Sequence, residues 1–336
     1  MKAVVIAGPQ ARPQLEERSR PMPGRGEVLI GVRACGVCHG DLMVQAGAFP
    51  FARYPIVPGH EIAGIVAAVG EDVDGLQKGA RVGLSALGSS CGRCDLCLAA
   101  DEFLCPELEF TGVTRDGGYA EFVVADADYV APLPDTLAFA DAAPLMCAGL
   151  TVYSALRRSG FKPGDRVAVI GLGGLGHLGV LYARAMGGRV AVLSNTAEKE
   201  AAARELGAEL FIPTKTRAAA EALQAWEGGA DLILATAPSV ESASSAFAGL
   251  APNGMLVLLG VGPGELSLNP MALIMGRRRV MGSPAGSRKE LHEALQFAAS
   301  HGVRPRLTQF PLAAAAEALA QMHDNRLRGR AVLMLD

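Results

Sequence analysis

The hydrophobic positions divide the chain into two parts with different patterns. Up to residue 145, short apolar runs rich in β-branched residues are separated by Gly and Pro, which is typical of an antiparallel, β-rich domain. Three of these runs are predicted to be strands, at residues 28–32, 63–69 and 120–124. We therefore predict a first, β-rich domain over residues 1–145.

From residue 146 the pattern changes to an alternation of apolar runs and helical stretches. The predicted strands are residues 166–170, 190–193, 232–235 and 255–259, and the predicted helices are residues 175–186 and 198–206. Such alternation is typical of a parallel sheet covered by helices, so we predict a doubly wound α/β domain over residues 146–284. A helical stretch after Ser287 and an apolar run at residues 331–335 predict that residues 285–336 return a strand to the first domain.

The composition is that of a globular protein and limits the possible partners. Half of the 336 residues are hydrophobic and 41 are glycine, which suits two folded domains. The net charge is −3 and the basic residues are scattered, except for the run 277–279, which we interpret as a solvated or interface edge. We expect no nucleic-acid partner. The N-terminal apolar run is too short for a secretory leader, and no stretch approaches a membrane span, so we predict a cytoplasmic protein.

A glycine-rich run, residues 171–176, follows a predicted strand and opens a predicted helix. In this context it predicts a dinucleotide site, with an ordinary glycine-rich turn as the alternative. Gly171 would allow the tight turn, Gly173 the close approach of the backbone to a pyrophosphate, and Gly176 close packing of the helix on the strand. The residues expected to bind the cofactor here are Gly171, Gly173, Gly174, Leu175 and Gly176.

The end of the next strand bears on the choice of nicotinamide cofactor. An acidic residue there would bind the ribose 2′-hydroxyl and repel a 2′-phosphate. This chain has Ser194, Asn195 and Thr196 instead, with Lys199 nearby. Hydroxyls, an amide and an ammonium can donate to a phosphate, so we predict NADP(H) in preference to NAD(H).

Seven cysteines, four of them within fifteen residues, point to metal rather than to disulfides. Four thiolates form a closed tetrahedral zinc site, and the pattern C-x2-C-x2-C-x7-C predicts such a site. A single cysteine such as Cys38, a histidine such as His60 and a second, distant cysteine can form an open site that leaves one position for water or substrate. The residues of the closed site are Cys91, Cys94, Cys97 and Cys105.

Taken together, these motifs resemble the zinc-dependent medium-chain alcohol dehydrogenases. The run 59–64, with Gly70 and Val73 at the family's spacing, fits its zinc motif, and residues 34–39, the four cysteines and residues 145–151 fit it too. The resemblance extends over nearly the whole chain. It implies a GroES-like catalytic domain with a structural zinc lobe at residues 88–106, split around a Rossmann domain.

The resemblance also implies a role for individual residues around a catalytic zinc. Cys38, His60 and Cys147 would be its ligands, giving two zinc ions per chain. Glu61 matches an acid that can approach or transiently ligate the metal, and Asp41 matches the carboxylate that orients the ligand histidine. By contrast, we interpret Cys35 as a small buried hydrophobe.

Three further residues are implied to contact the nicotinamide cofactor. His39 matches a residue at the pyrophosphate, and Thr151 matches one beside the nicotinamide. Arg330 matches a basic residue near the cofactor phosphates, although a plain surface residue is the alternative.

Two positions depart from the family pattern. Relatives usually have Ser or Thr two residues after the first ligand cysteine, where its hydroxyl passes the substrate proton toward solvent, but this chain has Gly40. Many relatives carry a bulky aromatic five residues before the first lobe cysteine, where this chain has Ala86. A larger substrate pocket follows as a hypothesis, with apolar lining from Phe49, Phe51 and Tyr54.

We therefore expect reversible hydride transfer between a nicotinamide and a small-molecule alcohol or carbonyl compound. A reductase of an iminium or an activated C=C is the alternative enzyme, because Gly40 lacks the relay hydroxyl and such reductions have different proton needs. A non-enzymatic cofactor-binding protein on the same scaffold is the third hypothesis. We also expect a homodimer or homotetramer, with residues 255–261 and 270–275 as the edge that pairs between subunits.

Overall fold

The computed structural model describes residues 1–260 and 262–335. Its strands are β1 Lys2–Val5, β2 Gln14–Glu17, β3 Glu27–Val37, β4 Glu61–Val69, β5 Arg81–Leu84, β6 Leu87–Ser89, β7 Glu109–Phe110, β8 Phe122–Asp126, β9 Val130–Pro132, β10 Arg166–Ile170, β11 Arg189–Ser194, β12 Leu210–Pro213, β13 Ala230–Ala235, β14 Leu250–Leu258, β15 Arg279–Gly282, β16 Leu307–Pro311 and β17 Arg330–Met334.

The α-helices are generally short, and single turns of 3₁₀-helix occur between other elements. The α-helices are α1 His39–Ala46, α2 Asp95–Leu98, α3 Phe139–Ala142, α4 Ala148–Arg158, α5 Gly176–Ala185, α6 Glu200–Glu205, α7 Ala219–Gln224, α8 Val240–Phe247, α9 Pro270–Gly276, α10 Arg288–Ser300 and α11 Ala315–His323. The 3₁₀ turns are Glu102–Leu104, Ala127–Tyr129, Ala143–Met146, Ala197–Lys199 and Leu312–Ala314.

Two compact units divide the chain. The first unit, which we call the catalytic unit, consists of Met1–Leu150, Gly286–Ser300 and Pro305–Asp336. The second, which we call the nucleotide unit, consists of Thr151–Ala285 and His301–Arg304.

The catalytic unit is built around a sheet with the order β16-β17-β3-β4-β5-β9, in which β8 also pairs with β3. Every pairing is antiparallel except that of β16 with β17. The strand predicted at residues 331–335 is observed as β17, and it pairs with β3, Ala331 lying opposite Val37. Strand β3 pairs with β4, β8 and β17 and is therefore an interior strand. Its apolar side chains, such as Val28 and Ile30, are fully buried in the core of this unit.

The four-cysteine lobe projects from this unit on a short antiparallel pair of strands. Strands β6 and β7, which we call the neck, enclose the lobe cysteines, Cys91 to Cys105. Within the lobe, α2 and the turn Glu102–Leu104 are the only helical segments described. So short a segment buries little apolar surface, and its geometry must depend on something other than a hydrophobic core.

The nucleotide unit contains a six-stranded sheet of parallel strands in the order β12-β11-β10-β13-β14-β15. Strand β10 coincides with the predicted residues 166–170. The strand order reverses between β10 and β13, so the chain crosses to the other half of the sheet at this point, as in doubly wound folds. The predicted fold class, a β-rich domain joined to a doubly wound parallel sheet, is confirmed.

One structural prediction was wrong. Residues 255–258 do not form an edge, because β14 lies between β13 and β15, and its apolar run is buried on both sides. Residues 270–275 lie in a helix, α9, because Pro270 stands in its first turn and the Asn269 side chain accepts the Met271 N–H at 2.9 Å. The strand at this edge of the sheet is β15, and Val261 lies outside the described residues.

Smaller differences concern element ends. The strand predicted at residues 120–124 begins at Phe122, and the helix predicted at residues 198–206 is split into the turn Ala197–Lys199 and α6. Among the described residues no single helix is long and apolar enough to cross a membrane; only the bent pair Phe139–Met146 and Ala148–Arg158 passes that test, by length and composition alone.

Candidate functional site

Four side chains of the catalytic unit converge on one point. The ligand atoms of Cys38, His60, Glu61 and Cys147 all lie within 4.8 Å of one another, and the two Sγ atoms are 3.9 Å apart. Tetrahedral zinc with Zn–S bonds of 2.3 Å places two sulfur ligands about 3.8 Å apart. The thiols are therefore spaced as zinc ligands are, with an imidazole and a carboxylate completing the set.

The strand order explains how residues far apart in sequence meet. Strand β3 ends at Val37, and Cys38 then caps the N-terminus of α1. Because β3 pairs antiparallel with β4, Gly36 lies opposite Glu61, and His60 immediately precedes β4. Cys147 comes from the bend between the turn Ala143–Met146 and α4, 109 residues from Cys38.

Asp41, in the first turn of α1, is fully buried and holds this arrangement together. Its carboxylate accepts the backbone N–H groups of Cys38 at 2.8 Å and Gly59 at 3.2 Å, and the Tyr119 hydroxyl at 3.0 Å. Its Oδ1 lies 3.4 Å from Nδ1 of His60. The carboxylate thus links both ligand-bearing segments and orients the imidazole, which leaves Nε2 for a metal.

The electrostatics of the cluster favour a thiolate. The hydrogen bond from the Cys147 thiol lowers the pKa of Cys38 well below its usual value, and the charges of His60 and Arg330 act in the same direction. Burial alone would lower the pKa of His60, but the charges of Cys38 and Asp41 raise it well above its usual value. A site that attracts positive charge to this degree is suited to a cation.

Glu61 is held in a buried ion pair that sequence reasoning missed. One carboxylate oxygen accepts a hydrogen bond from Arg330, 269 residues away, whereas Oε2 is buried and has no hydrogen-bond partner among the described residues. Burial raises the pKa of Glu61 to about 8, although Arg330 lowers it. A Cβ on Gly36 would lie only 1.9 Å from Oε2, so the carboxylate needs a glycine at this position.

The position of Arg330 differs from what the sequence led us to expect. Its side chain is buried rather than exposed, so the alternative of a plain surface residue is wrong. The guanidinium pairs with Glu61 at the metal cluster. The predicted contact with cofactor phosphates stays a prediction.

Three other predicted residues lie near the start of α1 or in α4. His39 is exposed, and Thr151 is buried. Gly40 is in the first turn of α1, where a Cβ would lie 3.0 Å from Cε1 of His60. Any side chain at this position would therefore press on the imidazole.

The lobe cysteines form a second cluster with the spacing of a closed metal site. Their Sγ atoms all lie within 4.8 Å of one another. Three of the contacts, Cys94 to Cys97, Cys91 to Cys97 and Cys94 to Cys105, measure 3.5, 3.9 and 3.9 Å. These values bracket the roughly 3.8 Å edge of a tetrahedral zinc–sulfur site.

Backbone N–H groups also surround the lobe sulfurs, as expected for thiolates. The N–H groups of Cys94 and Glu107 lie 3.4 Å from Sγ of Cys91 and Cys105, respectively. Hydrogen bonds from the backbone of Arg93 and Cys94 lower the pKa of Cys91 to about 6. Cys35, in contrast, is fully buried in the hydrophobic core and belongs to neither of the clusters found in the described part of the chain.

In the nucleotide unit, the glycine-rich turn has the geometry that its sequence implied. Gly171 has a φ of +91°, which a residue with a side chain rarely adopts. A Cβ on Gly176 would lie 2.1 Å from the carbonyl oxygen of Gly171, so the first turn of α5 can approach the strand only without a side chain. A Cβ on Gly173 would meet nothing within 4 Å, so this backbone is open to a ligand. Gly174 and Leu175 complete the turn before α5.

The residues after β11 form a small hydrogen-bonded turn. The Ser194 hydroxyl is buried and accepts the Thr196 N–H at 3.1 Å. The Thr196 hydroxyl donates to the Asn195 side-chain oxygen at 2.9 Å. Asn195 is exposed and Lys199 is partly exposed, and Ser194 ends the strand at a position where no carboxylate stands.

Two family models match the chain. Residues 24–135 match the alcohol dehydrogenase GroES-like domain, and residues 174–300 match the zinc-binding dehydrogenase domain. An alcohol dehydrogenase from Geobacillus stearothermophilus is 40% identical over 337 residues, which cover 100% of both chains.

Solved structures agree with these matches. A cinnamyl alcohol dehydrogenase from Sorghum bicolor has a TM-score of 0.90 and 33% identity, covering 99% of this chain and 97% of that one. The CAD protein of Helicobacter pylori, solved in complex with NADP(H), has a TM-score of 0.89 and 30% identity over the same shares.

Proposed function

Because this chain belongs to the zinc-dependent medium-chain alcohol dehydrogenase family, we propose that it interconverts alcohols with aldehydes or ketones using NADP(H) as the favoured cofactor. An alcohol–carbonyl oxidoreductase that depends on zinc and a nicotinamide follows from the family itself. The observation that carries the proposal is the cluster of Cys38, His60, Glu61 and Cys147, whose spacing fits a zinc ion.

The proposed ligands of the catalytic zinc are Cys38, His60 and Cys147, which leaves one open position. Bound there, zinc would polarise the substrate oxygen as a Lewis acid, and the nicotinamide would donate or accept the hydride. Asp41 keeps the His60 ring oriented by its contact with Nδ1. Arg330 holds one oxygen of Glu61, and the other has no hydrogen-bond partner in the part of the chain that the structure describes, so it can approach the metal.

We propose a second, structural zinc in the lobe, bound by the four clustered cysteines. Such a closed site leaves no position for substrate and acts by stabilising the fold. Support comes from the sulfur spacing and from the neck and lobe being too small for a hydrophobic core of their own. Freshly purified protein should then contain two zinc ions per chain by elemental analysis.

The decisive experiment is a substrate panel of aldehydes, ketones, alcohols and cyclic iminium ions, each with NADPH or NADP⁺ and NADH or NAD⁺. Turnover of simple aldehydes supports the proposal. The second candidate, a reductase of an iminium or an activated C=C, is favoured by Gly40, which cannot supply the usual relay hydroxyl. Turnover of iminium ions without turnover of aldehydes would replace the first candidate by the second.

The cofactor preference can be tested at Ser194. NADPH should be used better than NADH, because no carboxylate stands at the end of β11 to repel a 2′-phosphate. Ser194→Asp should lower kcat/KM for NADPH about 10²-fold, since like charges brought together cost several kcal/mol. Ser194→Ala is the matched control and should change it much less. A wild-type preference for NADH would contradict the proposal.

Gly40 can be tested by restoring the missing hydroxyl. A relay hydroxyl should raise alcohol oxidation at pH 7, where proton release is difficult, more than at pH 10, where hydroxide can take the proton. Because any Cβ would press on His60, Gly40→Ser must be compared with Gly40→Ala rather than with the wild type. We expect the alcohol oxidation rate of the serine variant to exceed that of the alanine variant about tenfold at pH 7. A positioned proton-transfer group is worth about 10²–10⁴-fold, and water replaces part of that. If the two variants oxidised alcohol at equal rates at both pH values, the proton would leave by another route.

We also propose a cytoplasmic homo-oligomer, a dimer or a tetramer. The free cysteines fit a reducing compartment. The corrected site for subunit pairing is β15, the edge of the parallel sheet, next to α9, where Ile274 and Met275 are 67% and 77% exposed. Light scattering at micromolar concentration should give a multiple of 34.7 kDa, and a monomer mass would contradict the proposal.

A further inference from the structure

The segment that leads into His60 is held against a second segment, residues 117–119. Three backbone N–H groups of residues 117–119 donate to the carbonyls of residues 57–59, at 2.7, 2.8 and 3.0 Å. A Cβ on Gly117 would lie only 2.1 Å from the Gly59 carbonyl oxygen, so the two backbones can approach this closely only without a side chain there. Residues 117–119 therefore have a fixed position relative to His60.

The Tyr119 side chain fills the space beside this contact. It is one of the largest side chains that the structure buries completely. A Cβ on Gly59, the residue before His60, would lie 2.3 Å from Cδ1 of Tyr119, so the ring rests directly on the Gly59 backbone. Because its backbone is hydrogen-bonded and its ring is close-packed, the side chain is held in one orientation. The phenol hydroxyl, which needs a partner when it is buried, is thus held at a defined point.

That hydroxyl meets the carboxylate that orients the ligand histidine. It donates to Oδ2 of Asp41 at 3.0 Å, and the same oxygen accepts the Cys38 N–H at 2.8 Å. The other oxygen, Oδ1, accepts the Gly59 N–H at 3.2 Å and lies 3.4 Å from Nδ1 of His60. Among the described donors to Asp41, Tyr119 is the one that lies outside the two segments carrying Cys38 and His60.

This difference gives the Tyr119 hydroxyl a role that the backbone donors cannot fill. Without it, Asp41 would be held only by groups that move with the ligands it has to orient. With it, the carboxylate is also fixed to a separate part of the fold. Residues that orient metal ligands from outside the ligand set typically change metal affinity or activity about 10–100-fold when they are replaced.

We propose that Tyr119 is a positioning residue for the catalytic metal, because its hydroxyl fixes Asp41 and, through Asp41, the imidazole of His60. The inference rests on the proposed function, since it requires zinc at Cys38, His60 and Cys147. A tyrosine with a merely structural role would lower only the stability on losing its hydroxyl, by about 1 kcal/mol. A positioning residue also changes how fast the metal leaves.

The experiment measures zinc release from Tyr119→Phe, which removes the hydroxyl and keeps the ring. Folded protein is mixed with an excess of a chromogenic zinc chelator, and the phases of metal transfer are recorded. Cys38→Ala should hold the lobe ion alone, so it identifies the phase that belongs to the lobe. In Tyr119→Phe we expect the other phase to be about tenfold faster and kcat for aldehydes to fall about tenfold, at the low end of the range for such residues. The lobe phase and KM for NADPH should stay within about twofold.

Tyr129→Phe is the matched control. Tyr129 is also buried in the catalytic unit, but its hydroxyl lies 2.7 Å from that of Ser90, directly before the first lobe cysteine. Its loss should cost a similar 1 kcal/mol or so of stability. It should leave kcat and the zinc phase that depends on Cys38 within about twofold.

An unchanged Cys38-dependent phase in Tyr119→Phe would overturn the inference, as would an equal acceleration of that phase in Tyr129→Phe. If the wild type released a Cys38-dependent zinc ion but turned over no aldehyde, the proposed function would fail, while zinc release would still decide the role of Tyr119. A wild type without any Cys38-dependent zinc would overturn both.

Discussion

Cys38→Ala should reduce aldehyde turnover at least about 10³-fold while the chain stays folded, since a Lewis acid contributes several kcal/mol to the transition state and each 1.4 kcal/mol is a factor of ten. The thiol removed lies 3.9 Å from that of Cys147 in the proposed catalytic site, and its pKa is lowered by that neighbour. Zinc content should fall from two ions per chain to one, because the lobe site is untouched. Steady-state kinetics, elemental analysis and circular dichroism on one preparation measure all three.

Cys35→Ala provides the matched control for this variant. Cys35 is three residues away and fully buried, but it packs in the hydrophobic core and is in neither metal cluster of the described residues. Removing its sulfur should cost about 1 kcal/mol of unfolding free energy and leave kcat within about twofold. Equal loss of activity in the two variants, or normal zinc content in Cys38→Ala, would show that Cys38 is not a ligand.

Cys94→Ser should mainly lower stability. Structural zinc sites contribute about 10–16 kcal/mol in small peptides, and loss of a metal belongs to the mutations that exceed about 4 kcal/mol. For a chain of this size that loss corresponds to a fall in melting temperature of at least about 6 °C. Below the transition the variant should keep most of its activity per folded molecule and should contain one zinc ion, in the catalytic site.

Arg93→Gln tests whether the effect belongs to the thiolate. Arg93 precedes Cys94, and its side chain is 80% exposed and forms a surface ion pair with Glu107 at 3.4 Å. Its replacement should change the unfolding free energy by no more than about 0.5 kcal/mol. Scanning calorimetry and zinc analysis of both variants separate the outcomes, and a melting temperature unaffected in Cys94→Ser would argue against a structural metal.

Where the relevant contacts are local, the sequence alone was sufficient. The four lobe cysteines lie within fifteen residues, so spacing and thiolate chemistry were enough to place them together. The glycine-rich turn depends on φ at Gly171 and on contact between Gly171 and Gly176, five residues apart. The alternation of apolar strands and helices determined the parallel sheet, because a strand buried on both faces has an apolar side chain at nearly every position.

Residues that meet across the sheet were decided only by the tertiary structure. The family resemblance suggested Cys38, His60 and Cys147 as partners, but the pairing of β3 with β4 and the bend before α4 are what bring their atoms together. The pairing of β17 with β3 likewise brings Arg330 to Glu61, a contact that the sequence did not predict. Periodicity describes which face a residue occupies and does not describe what lies opposite it.

The same limit explains the wrong prediction of the edge strand. It also explains why the sequence did not predict the contact between Arg53 and Glu109. Apolar content at residues 255–258 and 270–275 is equally compatible with an edge, an interior strand or a helix, and only the strand order placed the edge at β15. The contact between Arg53 and Glu109 joins residues 56 positions apart. The sequence by itself determined the local chemistry and the fold class of this protein. The tertiary structure decided which of those groups touch, because contacts between distant segments depend on strand order and packing rather than on neighbouring residues.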